Sequence, residues 1–254
     1  MRLIFLILIC FTLHPAYSQK SKKQIETYYL FNSNWEPCSL DSAVYLSFAK
    51  KINDTIYQTY NYHFDGPLIS VETYRDENYS TLNGFIAYYD KEGRIDSSGY
   101  TKNAKRDKTW YFYTDTFSII LQKDYEDGQL IRTVDLVAKR KEDALKEKIP
   151  DGFEEVEKEA DFKGGINSWI KYLQKNIQFP KRAETLNKSG QVMIGFVVDT
   201  DGSTKEIFIV KSVELSLDKE AWRLIEESPK WQPAVQKGKN VKAYRRQPIS
   251  FANY

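Results

Sequence analysis

Cysteine and histidine are nearly absent: two of each stand in 254 residues, as Cys10, Cys38, His14 and His63. Two cysteines exclude a disulfide-stapled scaffold. Two histidines leave no stock for a histidine-built metal centre or a histidine-based catalytic triad. An excess of one charge is also lacking, since 37 basic residues against 35 acidic ones give a net charge of +2. Nothing in that balance argues for a nucleic-acid partner. There is no nucleophile-elbow glycine pattern, no phosphate loop and no metal-ligand spacing, so the chain reads as a non-enzyme with no cofactor and no small-molecule substrate. Prolines beyond the leader (Pro37, Pro67, Pro150, Pro180, Pro229, Pro233 and Pro248) are scattered, which excludes a Pro-rich rod. Long hydrophobic runs are missing as well. The best one, Leu3 to Leu13, would span roughly 16 Å as a helix against a bilayer core of about 30 Å.

That short run has a different use. Met1-Arg2, the apolar segment and then His14-Pro15-Ala16-Tyr17-Ser18 have the order of a secretory signal peptide, residues 1–18, with small residues before the cut. The expected location is the periplasm or cell envelope; an uncleaved inner-membrane anchor is the alternative. Cleavage leaves Cys38 without an internal partner.

What is abundant is aromatic surface: 15% of the residues, 18 of them Tyr. Tyr fits a pleated, half-buried surface. Over residues 19–135 aromatics recur with turn signals at Asp65-Gly66-Pro67, Lys91-Glu92-Gly93 and Asp127-Gly128, the grammar of hairpins. Phe85 and Trp110, Tyr88 and Tyr113, Asp90 and Asp115, and Tyr100 and Tyr125 all share one offset, about 25 residues, which predicts an internal repeat of strand pairs. Gly84 to Asp90, Gly99 to Asn103 and Trp110 to Tyr113 resemble MORN-type repeats, arrays of β-hairpins rich in glycine and Tyr/Trp.

Residues 136–161 change register. Lys139 to Lys148 is almost wholly charged, and Glu142 with Lys146 supports a solvated helix. This is a linker, so the two flanking regions are expected to fold separately. Residues 162–254 read as α+β. Ile166, Trp169, Ile170, Leu173 and Ile177 give one amphipathic helix. Val192, Ile194, Phe196 and Val198 alternate in a strand. Asp199-Thr200-Asp201-Gly202 turns it into a partner carrying Ile207 and Ile209. The turn starts like a calcium loop but lacks the third acidic ligand and the distal Glu. Leu217, Ala221, Leu224 and Ile225 give a second helix with Ser216 as N-cap. Trp231, between Pro229 and Pro233, is a packing residue, and a strand from about Val241 to Phe251 closes the chain.

This order of Phe162-Lys163-Gly164-Gly165, Trp169-Ile170, Phe179-Pro180, Gly190-Gln191-Val192, Val198-Asp199-Thr200-Asp201-Gly202, Pro229-Lys230-Trp231-Gln232-Pro233-Ala234 and Gln247-Pro248-Ile249-Ser250-Phe251 resembles the TonB C-terminal domain family of the Bacteroidetes type. The expected fold class is therefore α+β, an antiparallel hairpin meander followed by a two-helix, three-stranded antiparallel sheet. The resemblance implies an energy-transducer-like, protein-binding module of transmembrane transport. It would bind a partner by adding the partner's extended peptide to its sheet. That partner is an outer-membrane receptor peptide, or a second copy of the chain in a homodimer. Pro248 cannot donate to a ladder, which makes the last strand an edge. Partner contact is expected at Lys242, Tyr244, Arg245, Arg246 and Pro248, with Phe179 and Pro180 beside them. The alternative is an envelope scaffold whose repeats do the binding without energy transduction.

Overall fold

The structure is a computed structural model that describes residues 26–145 and 157–252; the signal-peptide segment lies outside them. β1 (Glu26–Phe31), β2 (Tyr45–Asn53), β3 (Ile56–His63), β4 (Leu68–Tyr74), β5 (Leu82–Tyr89), β6 (Ile95–Lys102), β7 (Lys105–Tyr113), β8 (Ile119–Glu126) and β9 (Gln129–Asp135) form one antiparallel sheet in chain order. Each strand pairs only with its sequence neighbours. α1 (Leu136–Leu145) follows and lies against β8 and β9.

The turns set this meander. Asn103-Ala104 and Asp127-Gly128 are two-residue hairpin loops with φ of 51° and 61°, and 46° and 90°, the positive pair that matches strand twist. At the opposite end Asp90–Arg94 and Thr114–Ser118 are five-residue turns built alike. Asp90 N–H donates to Arg94 C=O and Thr114 N–H to Ser118 C=O, both at 2.9 Å. Asp90 Oδ1 and Thr114 Oγ1 each accept from backbone N–H groups two and four residues on. These equivalences have an offset of 24, one less than the aromatic coincidences suggest. A shift of one residue flips every side chain in a strand. Phe85 accordingly packs on the central apolar cluster, whereas Trp110 lies on the opposite face, stacked with Tyr88. The hairpin meander stands; MORN-type units are not confirmed.

The C-terminal region contains α2 (Gly165–Asn176), α3 (Lys181–Thr185), β10 (Gly190–Val198), β11 (Thr204–Lys211), α4 (Leu215–Glu226), β12 (Ala234–Gln236), β13 (Lys239–Val241) and β14 (Ala243–Phe251). The strand order β11-β10-β14 makes a three-stranded antiparallel sheet. The molecule is α+β. Val192, Ile194, Phe196 and Val198 are all fully buried, as are Leu217, Ala221, Leu224 and Ile225 of α4. Each of these Val, Leu, Ile and Phe side chains contributes about 1.5–3 kcal/mol on burial. Trp231 packs edge-on to Phe196 and Phe162 and beside Trp169.

Three details differ from the sequence reading. α2 is rotated so that Trp169, Tyr172 and Leu173 face inward around Phe162, while Ile166 and Ile170 are 63% and 44% exposed. The cap of α4 is Glu214, whose carboxylate accepts from Leu217 N–H at 2.8 Å; Ser216 lies inside the first turn and its hydroxyl donates to the same carboxylate. The β12–β13 hairpin, closed by Lys237-Gly238, is an additional element, and the last strand starts at Ala243.

The two sheets share one apolar cluster, with Phe48, Tyr60, Tyr62 and Leu68 on the meander side and Ile209, Leu215 and Leu217 on the other. Tyr89 OH donates to Ile209 C=O at 2.7 Å. Ser212 N–H donates to Gly93 C=O at 2.8 Å, and Leu68 N–H donates to Ser212 Oγ at 2.8 Å. Gly93 stands at φ 74°, and a Cβ there would lie 2.5 Å from Ser212 C=O. Only glycine fits that approach. Arg182 donates to Phe64 C=O and lies over the Phe64 ring.

Candidate functional site

The open edge of the C-terminal sheet is the strand on which the sequence reading centred. β14 pairs with β10 over nine residues, Gly190↔Phe251 to Val198↔Ala243, with no register break. Its side chains alternate. Ala243, Arg245, Gln247, Ile249 and Phe251 turn towards the helices, and Tyr244, Arg246, Pro248 and Ser250 are exposed. Among the described residues no strand lies on the outer side of β14.

The opposite edge, β11, is used within the molecule. Arg94 and Lys211 form a bridge, Ser212 meets Gly93, and Ile209 C=O takes the Tyr89 hydroxyl. The meander thus engages the C-terminal end of that edge.

Tyr244 stacks on Phe208 with ring centres 5.9 Å apart and planes at 15°. The two rings meet over Gly195, where a Cβ would fall 2.6 Å from Tyr244 OH and 2.7 Å from the Phe208 ring. A larger residue at 195 would lift Tyr244 off the sheet. Arg246 is exposed, and its guanidinium donates to Phe117 C=O of the β7–β8 turn at 3.2 Å. Arg245 points to the other face, 3.6 Å from Asp161.

The basic tail is not one free patch. Lys230 Nζ lies 2.9 Å from Asp201 and Lys242 Nζ 3.9 Å from Asp199. The two turn carboxylates also bind Lys205 and Ser203, and these hydrogen bonds hold both below the usual carboxylate range. Exposed pairs of this kind are screened by solvent and shape the surface potential more than the stability.

Lys242, Tyr244, Arg246 and Pro248 therefore share one surface of the edge strand, and Arg245 stands behind it. Phe179 and Pro180 are elsewhere. Phe179 packs edge-on to the Phe251 ring, 6.4 Å away. Pro180 caps α3, and both line a cleft of about 820 Å³ between the meander and α4. Phe208, Gly195 and Phe117, which position Tyr244 and Arg246, were not singled out from sequence. Gly195 inside an apolar strand was the available signal.

Residues 175–252 match the family of the Gram-negative bacterial TonB protein C-terminal region. This family comprises non-enzymatic protein-interaction domains of the cell envelope. The solution structure of the Helicobacter pylori TonB C-terminal domain is 23% identical over 36% of this chain and 86% of that one, with a TM-score of 0.26, too low to carry an argument. No curated protein matches the chain. No helix among the described residues is long and apolar enough to cross a membrane.

Proposed function

We propose that this is a non-enzymatic, exported protein of the cell envelope that binds a partner protein by strand addition at β14, in association with TonB-dependent outer-membrane transport. The observation that carries this reading is the asymmetry of the small sheet: β11 is engaged at its C-terminal end by the meander, while among the described residues no strand pairs with the outer side of β14. Pro248 has no N–H, so its pair with Met193 carries no bond from that residue. With unbroken register, the N–H groups of Tyr244 and Arg246 then face outward with it, and those of Arg245 and Gln247 face β10. An incoming extended segment, such as the periplasmic peptide of an outer-membrane receptor, would bond to the outward set. Its side chains would lie beside Lys242, Tyr244 and Arg246. Main-chain bonds would supply affinity, and the Tyr244–Phe208 platform would supply side-chain preference.

Arg246→Pro tests this against Arg246→Ala. Both substitutions remove the guanidinium with its bond to Phe117 C=O; the proline alone also removes the outward N–H donor. We expect both variants to keep the circular dichroism of the parent, with receptor-peptide binding weaker for the proline by about 1 kcal/mol or more. If the proline variant unfolds, Arg246 bonds inward and the register is wrong. If both bind alike, strand addition at this edge is not the mode of binding. Concentration-dependent sedimentation of the parent, abolished by Arg246→Pro, would make the partner a second copy of the chain.

A further inference from the structure

The face of the meander turned away from the C-terminal region carries a cleft of about 460 Å³. Across it runs a row of directly opposed residues: Tyr29, Ser47, Asn61, Ser70 and Tyr88, contributed by β1 to β5 in turn. The next rung opposes Thr59 and Glu72. Serine and asparagine in the middle of an aromatic sheet cost free energy unless they are bonded. Here they are. Ser47 Oγ donates to Asn61 Oδ1 at 2.6 Å, Asn61 Nδ2 donates to Ser70 Oγ at 2.9 Å, and Ser70 Oγ donates to Glu72 Oε1 at 2.9 Å. From the other side Tyr74 OH donates to Glu72 Oε2 at 2.6 Å.

Every donor in this chain points towards Glu72. The Glu72 carboxylate is thus the terminal acceptor of the relay. Yet all its partners are neutral. No Lys, Arg or His lines the cleft, and no ion pair to Glu72 is formed among the described residues. The walls are aromatic: Tyr29, Trp35, Tyr74, Tyr79 and Tyr88. Tyr79 stands edge-on to Tyr74 at 5.6 Å. Thr59 is 8% exposed and lines the cleft, with its hydroxyl beside the Tyr74 phenol. The cleft thus sets one carboxylate, with no cation beside it, between aromatic walls.

We propose that this cleft binds an organic cation, an alkyl- or quaternary ammonium group. The ammonium would sit against the Glu72 carboxylate while aromatic faces replace its hydration shell. Thr59 Oγ1 would accept from a primary ammonium. A neutral sugar would also meet aromatic faces and hydroxyl partners, but it would leave the carboxylate uncompensated. A phosphate or carboxylate ligand would face Glu72 with no cation to offset it.

The experiment titrates choline into the mature full-length chain at constant ionic strength, followed by amide and indole NMR shifts. The neutral isostere 3,3-dimethylbutan-1-ol and a neutral hexose are titrated in parallel. We expect saturable shifts at Trp35, Tyr74 and Tyr88 with choline and none with the neutral compounds. Glu72→Gln keeps the shape and removes the charge, and should weaken choline binding at least about tenfold. If Glu72→Gln does not fold, Tyr88→Leu, which removes one π-face on an ordinary strand position, should weaken binding by severalfold. Equal binding of choline and its neutral isostere, binding unchanged in the variant that folds, tighter binding of the hexose, or no saturation with choline would each overturn the proposal.

Discussion

The two regions of this molecule hold themselves together differently. In the meander every pairing joins strands adjacent in sequence, from β1–β2 to β8–β9. In the C-terminal unit β10 pairs with β14 across α4 and the β12–β13 hairpin. Local pairing is cheap in chain entropy but gives a thin sheet with two faces and little enclosed volume. Long-range pairing costs more loop closure and encloses a core. Val192, Ile194, Phe196, Leu217 and Ile249 have no exposed surface at all. The meander solves its problem by leaning one face on that core, through Phe48, Tyr60, Tyr62 and Leu68. Its other face is left to polar and aromatic side chains, and there the cation cleft is found. The unit with its own core is thus free to commit an edge to a partner, and the unit without one is free to commit a face.

The sharpest way to break this comparison is to hollow the C-terminal core. Trp231 is 3% exposed and touches Phe162, Trp169 and Phe196, with Nε1 donating to Ser228 Oγ at 2.9 Å. Trp231→Ala should destabilise by about 3–5 kcal/mol, measured by chemical denaturation of the full chain. If the meander depends on that core, tyrosine signals from the meander and tryptophan signals from the C-terminal unit should be lost in one transition. Two separated transitions, with the meander unmoved, would make the regions independent.

A second test sharpens the seam between them. Asp218 is fully buried and accepts from Tyr62 OH at 3.1 Å, from Val213 N–H at 3.0 Å and from Ser212 Oγ. Burial pushes its carboxyl up to about 7, only partly offset by those hydrogen bonds. The folded protein therefore holds this proton more tightly than the unfolded chain does. The resulting stability is complete below the unfolded value of 3.8 and is lost as pH rises through about 7. The full span is up to about 4 kcal/mol. Asp90, Asp124, Asp199 and Asp201 are shifted the other way by their hydrogen bonds, so their contributions fade in acid. Stability should peak between these limits. Asp218→Asn should remove the decline between pH 5 and 8, read from thermal midpoints, since an amide can donate to the Tyr62 and Ser212 oxygens. A decline that persists in the variant would assign it to another group.

The smallest effect is expected from cutting the chain where the regions join. The exposed Lys139 and Arg140 in α1 offer a tryptic site. Limited digestion should give two resistant fragments that still co-elute on size exclusion, because the shared cluster and the Ser212–Gly93 contact do not depend on the link. Fragments that separate would make the seam weak, and a single uncut core would shift the boundary that residues 136–161 suggest.

Much of this was legible from residue order. The alternation of Val192 to Val198 and the spacing of Leu217, Ala221, Leu224 and Ile225 are read out as buried faces because those periods are intrinsic to strand and helix. The Asp-Gly turns were legible for the same local reason. The repeat was read one residue too long, because aromatic side chains mark surface rather than turn geometry. The rotation of α2 was missed because Trp169 and Tyr172 found a larger aromatic partner in Trp231, some sixty residues away, and carried Ile166 and Ile170 outward. On the candidate edge, Pro248 was readable as an edge signal, but the placing of Phe179 and Pro180 in the cleft between the meander and α4 depends on the docking of the two regions.

By itself, then, the sequence determined the hairpins, the buried strand and helix faces, and the strand that cannot donate at Pro248. These follow from backbone sterics and periodicity acting over a few residues. Tertiary structure alone decided that the end of β11 would be engaged by the meander and β14 left open among the described residues, that Asp218 would be sealed in the seam, and that Ser47, Asn61, Ser70 and Glu72 would align into one relay. Those outcomes rest on cross-strand register and on the docking of one sheet against another. Such long-range pairings are selected by the packing of the whole molecule, and no local pattern encodes them.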